Sequence, residues 1–345
     1  MAWAIWSSSA AKASRRRSTP SGAKAVRIAL VCTLRRAQPV LGSWLAHHRN
    51  LGIRDFYLFA DEADELPLYQ PFEQDGVRLF SRGEALDAQW QTTPLWTFFR
   101  DYLDEVYARQ CLNVDLTMAL AREAGVDWLL HLDIDELLCI AGRWPSLATF
   151  FDTHRHCDMV HFTNHEAVPE AWHIDDYFAE VTLFKRNPRM LDEARLQATR
   201  QVFGDRYFLA YTNGKSAARL AGSCTRSYGA HEFVPCERRI RTSEICVLHY
   251  PQCGFNWYHS KFTTLGAFKD QLLGLIDIVS THPFLAESRS AAVAGSIHEQ
   301  TRLYATQIMR QGGLPGSCEA LLRQNILFRL PTPMTQPAPK PLPPP

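Results

Sequence analysis

The segment Asp127–Leu138 reads DWLLHLDIDELL and sets an apolar run against three acids. Trp128, Leu129, Leu130, Leu132 and Ile134 surround a lone His131, and Asp133, Asp135 and Glu136 fall within four positions. A short apolar run of this kind reads as a buried strand. Charge is costly to bury without a partner, so the acids either lie in water past the strand end or hold a cation. Alternate residues of an extended segment point to opposite sides. A bend after the run lets one carboxylate reach a metal and the other a ribose or a water. Hard cations such as Mg2+ and Mn2+ take oxygen ligands and keep positions for substrate phosphates. The plainer alternative is a solvated loop of acids capping a following helix.

Other residues carry chemistry of the same kind. Asp61, in YLFADEADE, ends a second apolar run and is placed to contact a nucleotide base or ribose; a loop acid beside Glu62, Asp64 and Glu65 is the competing reading. Lys215 follows the Asn213-Gly214 turn and can donate to a phosphate. His249 closes the run CVLH, where a neutral imidazole suits a borderline metal such as Mn2+; a core histidine bonded to backbone fits equally. Activating an acceptor hydroxyl needs a base, and a carboxylate serves. Glu166, Asp175, Asp176 and Glu232 are the candidates, and no spacing selects among them. Trp90, Trp96, Trp172 and Trp257 lie near polar segments, where sugar rings could pack on them, but core packing is the expected role for most.

The elements that must position these residues alternate. VRIALVCTL predicts a first strand from about Val26. Pro39 opens a helical pattern through Leu41, Trp44, Leu45 and His48, and Gly52 closes it. FYLFA and VRLF predict the next strands, and an amphipathic helix through Leu112, Leu116 and Leu120 to Gly125 leads into the acidic segment. This order predicts an α/β fold with a mainly parallel sheet and helices on both faces. Ligands of such sheets bind at the carboxyl ends of the strands, which brings Asp61, Asp133 and Asp135 to one rim. Beyond Phe150, DMVHFTN, YFAEVTLFKR, YFLAYTNG and EICVLHY read as strands, and Trp257 to about Phe328 reads as mainly helical. The expected organisation is a tail over 1–25, disordered or targeting, and one folded domain over 26–328. Within it, a nucleotide-binding half spans about 26–140, an acceptor half about 141–260 and C-terminal helices about 256–328. A Pro-rich tail covers 329–345.

Composition narrows the classes. The 345 residues carry 37 basic and 36 acidic side chains, so no overall field points to nucleic acid. No run reaches the roughly 20 apolar residues that span a bilayer. Nine cysteines without a CxxC pair read as buried thiols rather than a zinc finger. The first acid of the chain is Asp55, and the Ala, Ser and Arg ahead of it suit a transit peptide or a plain tail, in a cytoplasmic or organelle-targeted protein.

With these residues in view, the chain resembles glycosyltransferases of the GT-A type, nearest the family 2-like and family 92-like groups. Trp44, His47, His48, Leu51 and Gly52 match an E-W-x-x-H-H-x-x-L-G element in which Ser43 replaces the acid. Arg36, Ala37 and Gln38 stand where those families carry Arg-Asn-Glu. Gln110, Asn113, Asp127, Trp128, Asp133, Asp135 and Glu136 match a second block, followed by NGKSAAR, GAHEF and LHY. The resemblance implies a Rossmann-like GT-A fold and a nucleotide-diphosphate sugar donor, with uridine diphosphate as the nucleotide. It also implies Mn2+ or Mg2+ on Asp133 and Asp135, with His249 completing the metal site, and inverting transfer to a hydroxyl of a glycan or other acceptor. By the same resemblance the Golgi lumen is a possible compartment. Two rivals stand beside it: a non-catalytic glycan-binding protein of the same fold, and a metal-dependent phosphohydrolase, in which the acidic motif sits on the first strand.

Overall fold

Residues Ile28–Leu34 are apolar apart from Thr33, so a strand built from them must be covered on both faces. They form β1, and β2 (Asp55–Ala60) and β3 (Val77–Ser81) run parallel to one side of it, with β4 (Trp128–His131) parallel on the other. This computed structural model describes residues 25–266, 269, 271–274, 276–277, 283–309 and 317–330. Alternate residues of β1 divide between two cores. Leu30, Cys32 and Leu34 pack with Val40, Leu41 and Trp44 of helix α1 (Gln38–Asn50). Ala29 and Val31 pack with Cys111, Leu112 and Val114 of helix α2 (Val106–Glu123) on the opposite face. Gly52 and Gly125, at φ +95° and +69°, end the two helices in the left-handed conformation that glycine adopts without a Cβ penalty.

Strands β5 (Glu136–Ile140), β6 (Met159–Val168), β7 (Leu183–Lys185), β8 (Lys215–Arg219), β9 (Arg226–Tyr228), β10 (Glu232–Val234), β11 (Arg239–His249) and β12 (Leu327–Arg329) follow, and Gln271–Leu272 pairs with Ile276–Asp277 in a ribbon of its own. The ten-stranded sheet runs β12-β7-β6-β8-β4-β1-β2-β3, with β11 pairing β6 and β5, while β9 and β10 form a separate hairpin. The parallel core carries helices on both faces, as the alternation predicts. Past β4 the sheet is mixed, because β8 enters antiparallel between β4 and β6. Helices α3 (Phe255–Leu265), α4 (Pro283–Val293) and α5 (Ile297–Leu303) follow, and Leu327–Arg329 adds a strand where a helix is expected.

Three other expectations change. Tyr177–Glu180 is a helical turn, not a strand, because the Asp176 side chain accepts from Phe178 N and caps it. Residues 207–214 form a loop whose backbone is satisfied by side chains from β6 and beyond. Glu166 accepts from Leu209 N and Ala210 N, and Asn164 and Asn187 donate to Tyr211 O and Thr212 O. No helix follows the acidic segment; Glu136 opens β5 and is fully buried. The expectations for 1–24 and 331–345 lie outside the described residues. Six of the nine cysteines, Cys32, Cys111, Cys157, Cys224, Cys246 and Cys253, are buried. Among the described residues no helix is long and apolar enough to cross a membrane.

Among the described residues β5 pairs with a strand along one edge alone, β11. Along the other edge the rings of α1 replace a strand. Trp44 Nε1 donates to Glu136 O at 2.8 Å, and His47 Nε2 donates to Leu138 O at 2.7 Å. His48 Nδ1 donates to Trp44 O at 2.9 Å while its Nε2 accepts from Leu138 N at 3.2 Å. That pair of bonds needs neutral imidazole. Burial accordingly holds His48 well below the usual histidine range, and burial likewise takes His161 down to about 4 and His165 down to about 3.

Below about pH 6.5 the unfolded chain takes up protons on these imidazoles that the native structure refuses. Each contribution is therefore complete above that pH and is lost as pH falls toward the folded value. Unfolding free energy should drop by up to ~1.4 kcal/mol per pH unit for each such histidine below pH 6.5. His48→Phe should lower stability by about 1–3 kcal/mol at pH 7.5, by stranding Leu138 N, and should flatten that acid slope. Denaturant titration of both chains across pH 4.5–7.5 checks this.

Candidate functional site

β4 ends at His131, and the chain bends through Asp133, Ile134 and Asp135 before Glu136 starts β5. Glu136, His249, Glu166 and Lys185 stand opposite one another on β5, β11, β6 and β7, a single polar rung across four strands. Residues in register share a face of the sheet, so these groups gather where the strands stop.

Asp133 is fully engaged. Its Oδ1 accepts from Gln110 Nε2 at 3.0 Å and its Oδ2 from Lys215 Nζ at 2.6 Å, while its own N–H donates to Glu136 Oε2 at 2.7 Å. The Lys215 side chain is 0% exposed and also donates to Ala230 O at 3.1 Å. Burial opposes the charge on Lys215, but Asp133 and Glu136 outweigh it and raise its pKa above the usual lysine range. Burial by itself would raise Asp133, and Lys215 with His131 holds it below the carboxylate range instead. Burial pushes Glu136 well above that range, against the pull of Lys215. Burial and then the Lys215 charge take His131 down to about 3.

Asp135 has different neighbours. Its Oδ2 accepts from Lys261 Nζ at 3.1 Å and lies 3.7 Å from His249 Nε2, and its backbone O accepts from Tyr250 N. Burial would raise its carboxyl, but Lys261 and His249 outweigh burial and hold it far below the usual range. The His249 ring stacks on Tyr211 at 4.6 Å, and its Nδ1 is buried without a hydrogen-bond partner.

Both aspartates open into a cavity of about 460 Å3, lined also by Thr33, Arg35 and Arg36 from the end of β1, Gln110 from α2, and Trp257, Ser260 and Lys261 from α3. Arg36 adopts φ +51°, a conformation that costs a non-glycine residue energy. It is held there by its N–H on the Glu65 carboxylate and by its guanidinium on Ser260 O and Oγ. The first strand end and α3 are thereby clasped across the cavity.

The other sequence candidates lie elsewhere. Asp61 follows β2 as expected, but both its oxygens take a bidentate bond from Arg109 at 2.6 Å each, and Arg35 lies 3.5 Å away. It is buried and does not line the cavity, so it braces Arg35 and α2 instead of reaching a ligand. Glu166 is likewise tied into the fold. It is buried against Lys185 Nζ at 2.6 Å and accepts from Leu209 and Ala210, so it shapes the cavity wall and has no lone pair facing a substrate. Glu232, on β10, lies 3.8 Å from His161 Nδ1 and off the cavity lining. Asp176 bonds Ser43, the residue standing where the resembled families have an acid, and Asp175 pairs with His173. Asp133 and Asp135 are the carboxylates among the described residues that line the cavity. Trp90 is core, bonded to Asn113, and Trp257 lines the cavity with its Nε1 on Ile174 O. Lys261, Arg36 and the bracing role of Arg109 were not legible in the sequence, because no local pattern marks them.

The implied divalent cation can be tested against this donor set. Among the described residues no group of three His, Cys, Asp or Glu is arranged to hold a metal ion. Asp133 does not fit, since both its oxygens are taken and Lys215 is locked in place. Asp135 and His249 face each other with one oxygen and one nitrogen, and that oxygen already accepts from Lys261, so they offer two protein donors at most. Two protein ligands suit an ion that completes its shell with phosphate oxygens and water.

No family model matches the chain. A protein of Arabidopsis thaliana named glycosyltransferase-like is 32% identical over 247 residues, covering 66% of this chain and 52% of its own length. A second glycosyltransferase-like protein of the same organism is 29% identical over 226 residues, covering 60% and 43%. The chain thus spans about half the length of these curated relatives. Two solved structures also align. Mannose-1-phosphate geranyltransferase from Thermus thermophilus matches at 17% identity and TM-score 0.25, covering 43% of this chain and 44% of that one. 4-Diphosphocytidyl-2C-methyl-D-erythritol synthase from Anaerococcus prevotii matches at 10% identity and TM-score 0.24, covering 56% and 70%.

Removing Lys215 leaves the buried Asp133 and Glu136 without their cation. Lys215→Met should cost about 3–5 kcal/mol of unfolding free energy. Adding Asp133→Asn should recover part of the loss, read as a coupling energy in a double-mutant cycle by urea titration.

Proposed function

We propose that the chain is a glycosyltransferase of the GT-A type that moves a sugar from a nucleotide-diphosphate donor, uridine diphosphate being the nucleotide, to a hydroxyl acceptor. The observation that carries this reading is the convergence of Asp133, Asp135 and His249 on one cavity at the carboxyl ends of parallel strands. The glycosyltransferase-like names of the two Arabidopsis relatives support it. In such sheets that rim is where nucleotides bind.

In this reading Arg35 and Arg36 at the end of β1, with Lys261, supply positive charge for the diphosphate. Asp135 and His249 would hold Mn2+ or Mg2+, and the ion supplies neutralisation of charge on the departing diphosphate. Lys215 and Gln110 fix Asp133 in its ionised form at the cavity, beside the nucleotide in this reading. Tyr177, Tyr250 and Trp257 give the cavity an aromatic wall for a sugar ring. Inverting transfer also needs a base on the acceptor side. Glu166 is consumed in its ion pair and Glu232 lies off the cavity lining, so neither carboxylate faces the space where the sugar would sit.

The test is calorimetric titration of uridine diphosphate into the full chain, with Mn2+ and with chelator. Micromolar binding that depends on the ion and weakens at least tenfold in Asp135→Ala is the expected result. Binding that is absent for both uridine and guanosine diphosphates would sink the proposal.

A further inference from the structure

Cys224 and Cys236 flank the β9–β10 hairpin. The hairpin pairs Arg226 with Val234, and the same register carried two residues outward sets Cys224 opposite Cys236. Two hydrogen bonds bracket the pair. Thr225 N donates to Val234 O at 3.1 Å on one side, and Glu237 N donates to Ser223 Oγ at 3.1 Å on the other. Residues opposite each other on antiparallel chains stand about 4.5–5.5 Å apart at Cα, within the span that a disulfide bridges. Both residues are free thiols, and their side chains hydrogen-bond each other. Cys224 is 0% exposed with its Sγ 3.6 Å from Asp158 O, whereas Cys236 is half-buried and meets solvent. Burial raises both thiols, and the bond from Cys224 works against burial at Cys236. The thiolate therefore forms first on the sulfur that an oxidant reaches, with its partner already in contact.

The hairpin so flanked touches the site. Ser227 N donates to Asp115 Oδ1 on α2 at 2.7 Å, and His231 Nδ1 donates to Gly214 O at 2.7 Å. Between them Ala230 O accepts from Lys215, the ammonium that holds Asp133. A second facing pair, Cys139 and Cys246, lies within β5 and β11, which are already paired on both sides of it from Glu136 to Ile140. A bridge there would join what the sheet has joined, while one at the hairpin base would close a loop that is otherwise open.

We propose that Cys224 and Cys236 are a modification site, a dithiol that a small disulfide such as glutathione disulfide oxidises to an intramolecular disulfide clamping the base of the hairpin beside Lys215. The Cys236 thiolate attacks one sulfur of the small disulfide, which releases one thiolate and leaves a mixed disulfide. Cys224 gives its proton to solvent, and its sulfur displaces the second small thiolate from Cys236. Two protein thiols are oxidised, one small disulfide is reduced to two thiols, and the two protons pass to those thiols. The bridge restricts the opened hairpin more than the closed one, so local opening becomes rarer and Ala230 stays on Lys215. This inference stands apart from the transferase reading.

The experiment incubates the reduced full chain with excess glutathione disulfide, alkylates the remaining thiols in denaturant and maps them by peptide mass. Hydrogen exchange of the segment 225–235 is followed in the same samples. The expected result is the loss of two thiols, a bridge between Cys224 and Cys236, and roughly tenfold slower exchange of the hairpin amides, all reversed by dithiothreitol. Cys236→Ser should keep the reduced exchange rate with or without oxidant, with Cys236→Ala standing in should its thermal transition fall. Cys139→Ser should still form the bridge. A pair that stays reduced, a glutathione adduct on Cys236 that never closes, or a bridge that leaves hairpin exchange unchanged overturns the inference.

Discussion

Buried carboxylates at a strand end have to be neutralised, and the architecture around Asp133 and Glu136 follows from that demand. The ammonium of Lys215 meets both, and it arrives on β8, the strand that runs antiparallel between β4 and β6. Had the sheet continued parallel past β4, the end of β8 nearest the acids would carry Arg219 in place of Lys215. The mixed sheet and the charge balance are two aspects of one arrangement. The cost of desolvating these two acids is offset because the compensating group is equally buried and pinned.

The second constraint is the geometry of β5. An edge strand with unpaired backbone groups is unstable in position and open to other partners. Trp44, His47 and His48 close that edge, and in doing so they fix where Glu136 starts and therefore where Asp135 points. The paired histidines thus act on the site through backbone. His48 holds one tautomer, with Nδ1 donating and Nε2 accepting, which ties the position of the acids to a neutral ring.

Two acids that look like ligand-binding groups in a linear reading are paired with buried cations. Asp61 and Glu166 each end or lie in an apolar run, as a ligand-binding acid does, but each meets a cation from a distant part of the chain, Arg109 and Lys185. Their task is to hold Arg35 and the 207–214 loop where the cavity needs them. An isolated acid at a strand end has the same local pattern whether it faces a ligand or a buried arginine.

The sequence by itself determined the parallel core, its two covering helices and the place of Asp133 and Asp135 at a strand end, because hydrophobic periodicity and glycine caps are local signals. Strand ends follow from those signals, and ligand sites follow from strand ends. Tertiary structure alone decided which charges pair. The Asp133–Lys215 bond joins residues 82 apart and the Asp135–Lys261 bond residues 126 apart. The order of strands that brings them together is set by packing and desolvation over the whole sheet. The loop at 207–214 and the short strand at 327–329 escaped the linear reading for the same reason. Their backbone partners lie far along the chain, and no local pattern encodes them.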